Sequence, residues 1–188
     1  MVVGKKIGSK SAFYQFIVLD ENADRVFELI DGEIVEKMPS FGYTSSIGAR
    51  LTTFVGMYLL NNPIAHMTDA QGGYDLDDET TLVPDIGVIL KSRQPTLPTD
   101  SYIPQAPDFA IEVVSQSDLK NPSERIDRKI EQYKKAGVPL FWYVYFNRRE
   151  IDVYRKGQPK QTFTMEDTLD AGDVLPGFQV SVRDIFGE

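Results

Sequence analysis

The sequence predicts an α/β domain with a mixed β-sheet flanked by helices and carrying additional β-hairpins. Three observations carry that expectation. Leu82–Leu90 and Phe109–Val114 are apolar, rich in β-branched residues and bounded by turn formers, as buried strands are. Thr44–Leu60 and Asn121–Ala136 place apolar residues at helical spacing. Asp31-Gly32 separates two strand-like runs, and Asp-Gly is a favoured two-residue turn because both positions tolerate positive φ. The order is therefore hairpin, helix, strands, helix, hairpin, which the layer rules assign to the α/β class.

Residues 1–24 read as an N-terminal leader, loose over 1–12, ahead of one domain spanning 25–188. Arg25–Ile30 and Glu33–Met38 form the first hairpin, and Pro39–Gly42 is a loop. Ile47, Leu51, Phe54, Val55, Tyr58 and Leu59 mark one face of the first main helix, which Asn61-Asn62-Pro63 ends. Ile64–Thr68 and Gly73–Leu76 are short strands, and the acidic turn Asp75–Glu79 leads into the strand holding Asp85. Arg93–Pro107 contains Pro95, Pro98, Pro104 and Pro107 and reads as an ordered loop or flap over the site. The strand holding Glu112 follows. Asn121 caps the second main helix, with Pro122 at the first helical position and Glu124 as capping-box partner. Gly137 stops that helix, with Pro139 beyond. Leu140–Phe146 and Glu150–Arg155 make a second hairpin. A strand near Gln161–Met165, a turn at Leu175-Pro176-Gly177 and a helix near Ser181–Phe186 close the chain.

The 188 residues suffice for one domain with a substantial core. No apolar run approaches the roughly 20 residues that span a bilayer, and Met1–Lys6 lacks the apolar core of a signal peptide. There are no cysteines, which excludes disulfides and thiolate metal sites and makes the cytoplasm the expected location. The net charge of −8 argues against a general nucleic-acid coat, since phosphate contacts need a positive surface. It leaves a nuclease open, because metal-holding acids lower net charge and a local basic face can still follow a phosphate backbone.

Two carboxylates stand out. Asp85 and Glu112 each interrupt a run that reads as a buried strand. An ionised carboxylate there costs several kcal/mol unless a cation or hydrogen-bond donors compensate it. Strand alternation puts Asp85 beside Gly87, which leaves open space, and Glu112 beside the small Ala110. On neighbouring strands the two would converge on one hard divalent cation such as Mg²⁺, with Mn²⁺ as substitute. The single histidine, His66, makes zinc a poor candidate and reads as structural. Ile126, Ile130 and Tyr133 form a narrow apolar stripe, and at about 100° per residue Lys129 falls at its margin. Its stem can send the ammonium toward the sheet, to hold a water and stabilise charge on phosphorus. Trp142, Tyr143 and Tyr145 read as core or interface rather than base-stacking residues.

Glu28-Leu-Ile-Asp-Gly-Glu33, Val83-Pro-Asp85-Ile86, Pro107-Asp-Phe-Ala-Ile-Glu112-Val-Val-Ser115, Lys129-x-x-x-Tyr133-x-x-Ala136-Gly137-Val138 and Gly172-Asp-Val-Leu-Pro-Gly-Phe178 resemble the Uma-two family of restriction-endonuclease-like proteins, within the PD-(D/E)xK nuclease superfamily. The resemblance spans about residues 25–186. It implies a restriction-endonuclease-like core, Mg²⁺-dependent hydrolysis of nucleic-acid phosphodiesters, DNA foremost, and a homodimer. By the same resemblance Asp85 and Glu112 are metal ligands, Lys129 takes the lysine role left empty by Val114, and Glu33 is a further catalytic candidate. Two other readings stand beside it. One is a catalytically silent nuclease-like fold acting as a DNA-associated or dimeric binding module. In the other, Glu112 pairs with an arginine and no metal enters.

Overall fold

A computed structural model describes residues 5–188, so the start of the expected leader, residues 1–4, lies outside the described residues. The rest of that leader is folded. Strand β1 (Lys5–Lys6) pairs with the first hairpin, and helix α1 (Lys10–Ile17) begins at Ser9, whose side chain accepts from the Ala12 N–H. Phe13 is fully buried against Phe27, Leu29 and Ile34, which anchors the helix. The first hairpin is β2 (Val26–Ile30) and β3 (Glu33–Lys37). Asp31 and Gly32 both take positive φ, 51° and 75°, as the Asp-Gly turn requires. Helix α2 (Gly42–Asn61) follows, then β4 (Ala65–Thr68), β5 (Tyr74–Asp75), β6 (Thr81–Leu82), β7 (Ile86–Leu90) and β8 (Phe109–Val114). Helix α3 (Arg128–Lys135), β9 (Leu140–Tyr145), β10 (Glu150–Arg155), β11 (Gln161–Phe163), β12 (Thr168–Ala171), β13 (Leu175–Ser181) and α4 (Val182–Phe186) complete the chain.

The central sheet has six strands in the order β11-β10-β9-β8-β7-β4. The β8–β9 pair is parallel and the others are antiparallel, so the sheet is mixed, as expected. Its central strands are buried on both faces. Phe109, Ile111, Val113, Trp142 and Val144 pack toward α2, α4 and the β12–β13 hairpin. Ala110, Val114, Phe141 and Tyr143 pack toward α3 and Ile30 of β2. By the same two-residue period Glu112 faces the α3 layer. A five-stranded sheet, β1-β3-β2-β6-β5, leans against that side.

Four local expectations need correction. Leu82–Leu90 is not one strand: β6 and β7 belong to different sheets, and Pro84-Asp85 lies in the break between them. Proline lacks the N–H a central ladder needs, so the chain changes sheet there. The space above Gly87 is not open, because a Cβ there would overlap the Tyr74 ring. Before α3, Ser123–Asp127 forms a turn of π-helix with no side-chain cap, so the capping box of Asn121 and Glu124 is not made. The far end does follow expectation. Gly137 (φ 69°) donates to Lys134 and Val138 donates to Tyr133, both at 3.0 Å, a Schellman stop. Lastly, Leu175-Pro176-Gly177 starts β13, and the turn is made earlier, where Gly172 takes φ 53°.

Candidate active site

The cleft beside Glu112 is built by β2, β3, β8, α3 and the segment entering β7. Lys129 is 7% exposed, next to the stripe of Ile126, Ile130 and Tyr133. Its Nζ lies 2.6 Å from Glu112 Oε1 and 2.8 Å from Glu28 Oε1. One turn on, the Tyr133 hydroxyl donates to Glu112 Oε1 at 2.6 Å. Positions i and i+4 of one helix thus meet one carboxylate oxygen. Glu28 also accepts from the Val83 N–H at 2.8 Å.

Asp85 stands at the other wall. Its Oδ2 accepts from the N–H of Val113, the residue after Glu112, at 2.7 Å. Its Oδ1 pairs with Lys37 Nζ at 2.8 Å. Glu28, Lys37, Asp85, Glu112 and Lys129 line one narrow cleft, with about 60 Å³ of room for water-sized groups. Tyr143, opposite Glu112 in the parallel register, lines it too, and its hydroxyl is buried with no hydrogen-bond partner.

Burial raises Glu112 above the ordinary carboxylate range to about 7; Lys129 and Lys37 pull it down, while Asp85 and Glu28 push it up. For Lys129, burial opposes the charge, but Glu112 and Glu28 outweigh it and raise its pKa, so it stays protonated. Burial, then Glu112, raises Tyr133 far above its usual range and keeps it a donor. Three carboxylates thus face two ammonium groups, and the raised Glu112 can take up a proton near neutral pH.

Of the sequence-predicted residues, Asp85, Glu112 and Lys129 come together and Glu33 does not. Glu33 sits at the hairpin end, 2.8 Å from Arg128. The carboxylate that β2 sends into the cleft is Glu28, five residues earlier. The sequence holds a signal for it, since Glu28 interrupts Val26–Ile30 as Glu112 interrupts its strand. The proline-rich segment 93–107 does not line this cleft; its Ile103 bridges to Tyr74 instead. The arginine expected on Glu112 in the purely structural alternative is replaced by Lys129 and Tyr133.

The donor set suits a hard cation. Two carboxylates plus waters and substrate oxygens are the usual Mg²⁺ environment. Among the described residues no group of three or more His, Cys, Asp or Glu gathers to hold a metal, and Glu28 and Glu112 both sit on Lys129. The buried Tyr143 hydroxyl, unpartnered beside Glu112, is a polar group that a water on such a cation would satisfy.

The family described as "Uma2: Putative restriction endonuclease" matches residues 12–183. The chain belongs to the Uma2 family. No curated protein matches it. This Uma2 member is similar in fold to "a putative nuclease belonging to DUF820" from Anabaena variabilis ATCC 29413, with a TM-score of 0.73, 22% identity, and coverage of 86% of this chain and 89% of that one. The family match begins within α1, which agrees with the N-terminal helix being part of the fold. Among the described residues of this Uma2 protein, no helix is long and apolar enough to cross a membrane.

Proposed function

We propose that this protein is a metal-dependent nuclease that hydrolyses phosphodiester bonds, with DNA as the first substrate to test. The observation that carries the reading is the reach of Lys129 from α3 to Glu112 across a cleft that Asp85 also lines. Asp85 and Glu112 would hold Mg²⁺, or Mn²⁺ in its place. The chemistry such an ion supplies when bound is acidification of a water and polarisation of a phosphoryl oxygen. Lys129, held protonated, orients the nucleophile and balances the charge that builds on phosphorus. Glu28 fixes the Lys129 ammonium from the far side, and Tyr133 fixes the Glu112 carboxylate. The Tyr143 hydroxyl offers the remaining donor to a water in the cleft. Assembly as a homodimer belongs to the same proposal and is read from the solution mass.

Incubation of supercoiled plasmid and end-labelled oligonucleotides with Mg²⁺ or Mn²⁺ tests the reading. Wild type should cut, and Asp85→Asn and Glu112→Gln should each lose at least about a hundredfold in rate, the scale of removing one charge-stabilising group. One observation favours the silent-module reading: both carboxylates already carry lysine ammonium groups. Binding of DNA without cleavage in either metal would establish that alternative.

A further inference from the structure

Lys37 has no part in the reading above, yet it sits on a metal-ligand candidate. It ends β3, with Nζ 2.8 Å from Asp85 Oδ1 and donating to the Val83 carbonyl at 2.7 Å. The other oxygen, Oδ2, is held by the Val113 N–H at 2.7 Å. Asp85 is therefore engaged on both sides, by a fixed backbone group and by an ammonium on a flexible four-carbon stem. A cation approaching Asp85 meets that ammonium at Oδ1, and like charges cannot share the place at low cost. The pair is only partly buried, with side chains 19% and 18% exposed, so separating it costs far less than separating Lys129 from Glu112.

Position adds a second argument. Lys37, Met38, Ser40, Asp85 and Val113 line both the Glu112 cleft and a second one that continues along the first half of α2. An ammonium released from Asp85 stays at the junction of the two. A lysine is a compact charge on a long stem, suited to a phosphate whose position is set by something else.

We propose that Lys37 is the displaceable counterion of this site: it neutralises Asp85 until a divalent cation takes Oδ1, and then binds a phosphate of the nucleic acid where the two clefts join. The inference rests on the metal-site reading of Asp85 and Glu112.

The test is a Mn²⁺ titration of the metal-free 188-residue chain without nucleic acid, at one pH, following free Mn²⁺ by electron paramagnetic resonance. Lys37→Met keeps the stem and removes the charge, and should bind Mn²⁺ about fivefold more tightly, the scale of one partly exposed ion pair. Lys37→Arg keeps the charge and should stay within about twofold of wild type. The second arm measures the salt dependence of binding to a labelled DNA duplex in Ca²⁺. Lys37→Met should lower the slope of log K against log salt by about one, as loss of one phosphate contact does. Equal or weaker Mn²⁺ binding by Lys37→Met, with an unaltered thermal melt, overturns the displacement. An unchanged salt slope overturns the phosphate contact. Mn²⁺ binding that Asp85→Asn abolishes and Lys37→Met leaves unmoved sinks this inference alone. No Mn²⁺ binding by wild type sinks it together with the metal-site reading.

Discussion

Replacing Lys129 by methionine removes one charge, keeps most of the stem, and leaves Glu112 and Glu28 facing each other in a buried place. Lys129 is 7% exposed and touches the two carboxylates at 2.6 and 2.8 Å. Removing one partner of a buried pair costs about 3–5 kcal/mol. Two features favour the lower end. Glu112, already raised to about 7, can take up a proton near neutral pH. Glu28 keeps its bond from the Val83 N–H. The expected loss is therefore about 3 kcal/mol, or a Tm lower by about 10 °C in a chain of this size. Urea unfolding in EDTA measures it as a fall in midpoint at unchanged m. The double variant Lys129→Met/Glu112→Gln should recover at least about 1 kcal/mol of the loss, because the uncompensated charge is then gone. A loss below about 1 kcal/mol for Lys129→Met, the worth of a surface pair, would refute the buried network.

Glu112 makes the metal-free protein sensitive to pH. Its folded pKa is raised, so protonation favours the folded state; that contribution is complete below the ordinary carboxylate range and is lost as pH rises through about 7. Melts in EDTA between pH 5 and 8 should show a falling Tm that Glu112→Gln flattens. Glu33→Gln should leave Mn²⁺ affinity within about twofold of wild type, since Glu33 sits at the hairpin end on Arg128, outside the Glu112 cleft, in a partly exposed pair. A larger change in the titration would return Glu33 to the site. Gly87→Ala should cost about 1–3 kcal/mol by thermal melt, because its Cβ meets the buried Tyr74 ring, while leaving Mn²⁺ binding intact.

The central strands and the two main helices were legible because their residues repeat with the period of the structure they form. Phe109–Val114 is buried on both faces and reads as an unbroken apolar run with one acid in it. The helical angle puts Lys129 at the margin of the stripe of Ile126, Ile130 and Tyr133, whereas it is buried, with its ammonium between Glu28 and Glu112. The misses have physical causes. Helix α1 is only eight residues long, and its Phe13, Phe16 and Ile17 gain meaning only from the hairpin they cover. The β12–β13 hairpin was hidden because Pro176-Gly177 resembles a turn, whereas the ladder tolerates it beside a register shift at Asp170/Ala171. Glu28 interrupts an apolar run, but its burial has no local signal, because only the α3 layer and Lys129, distant in sequence, cover it. A buried acid is also not sufficient evidence of a site. Asp152 is 3% exposed in β10, yet Lys160 and Thr162 satisfy it at 2.9 and 2.7 Å. Asp85 and Glu112 differ in lining a shared cleft, beside Tyr143 with its buried, unpartnered hydroxyl. That distinction needs the packing of β2 and β3 against β8, which no local pattern encodes.

Anomalous diffraction from crystals soaked in Mn²⁺ puts the whole account at stake in one map. The expected result is a single strong peak within coordination distance of both Asp85 and Glu112, with the Lys37 ammonium moved off Oδ1. A peak elsewhere, or no peak with Lys37 still seated on Asp85, would contradict it.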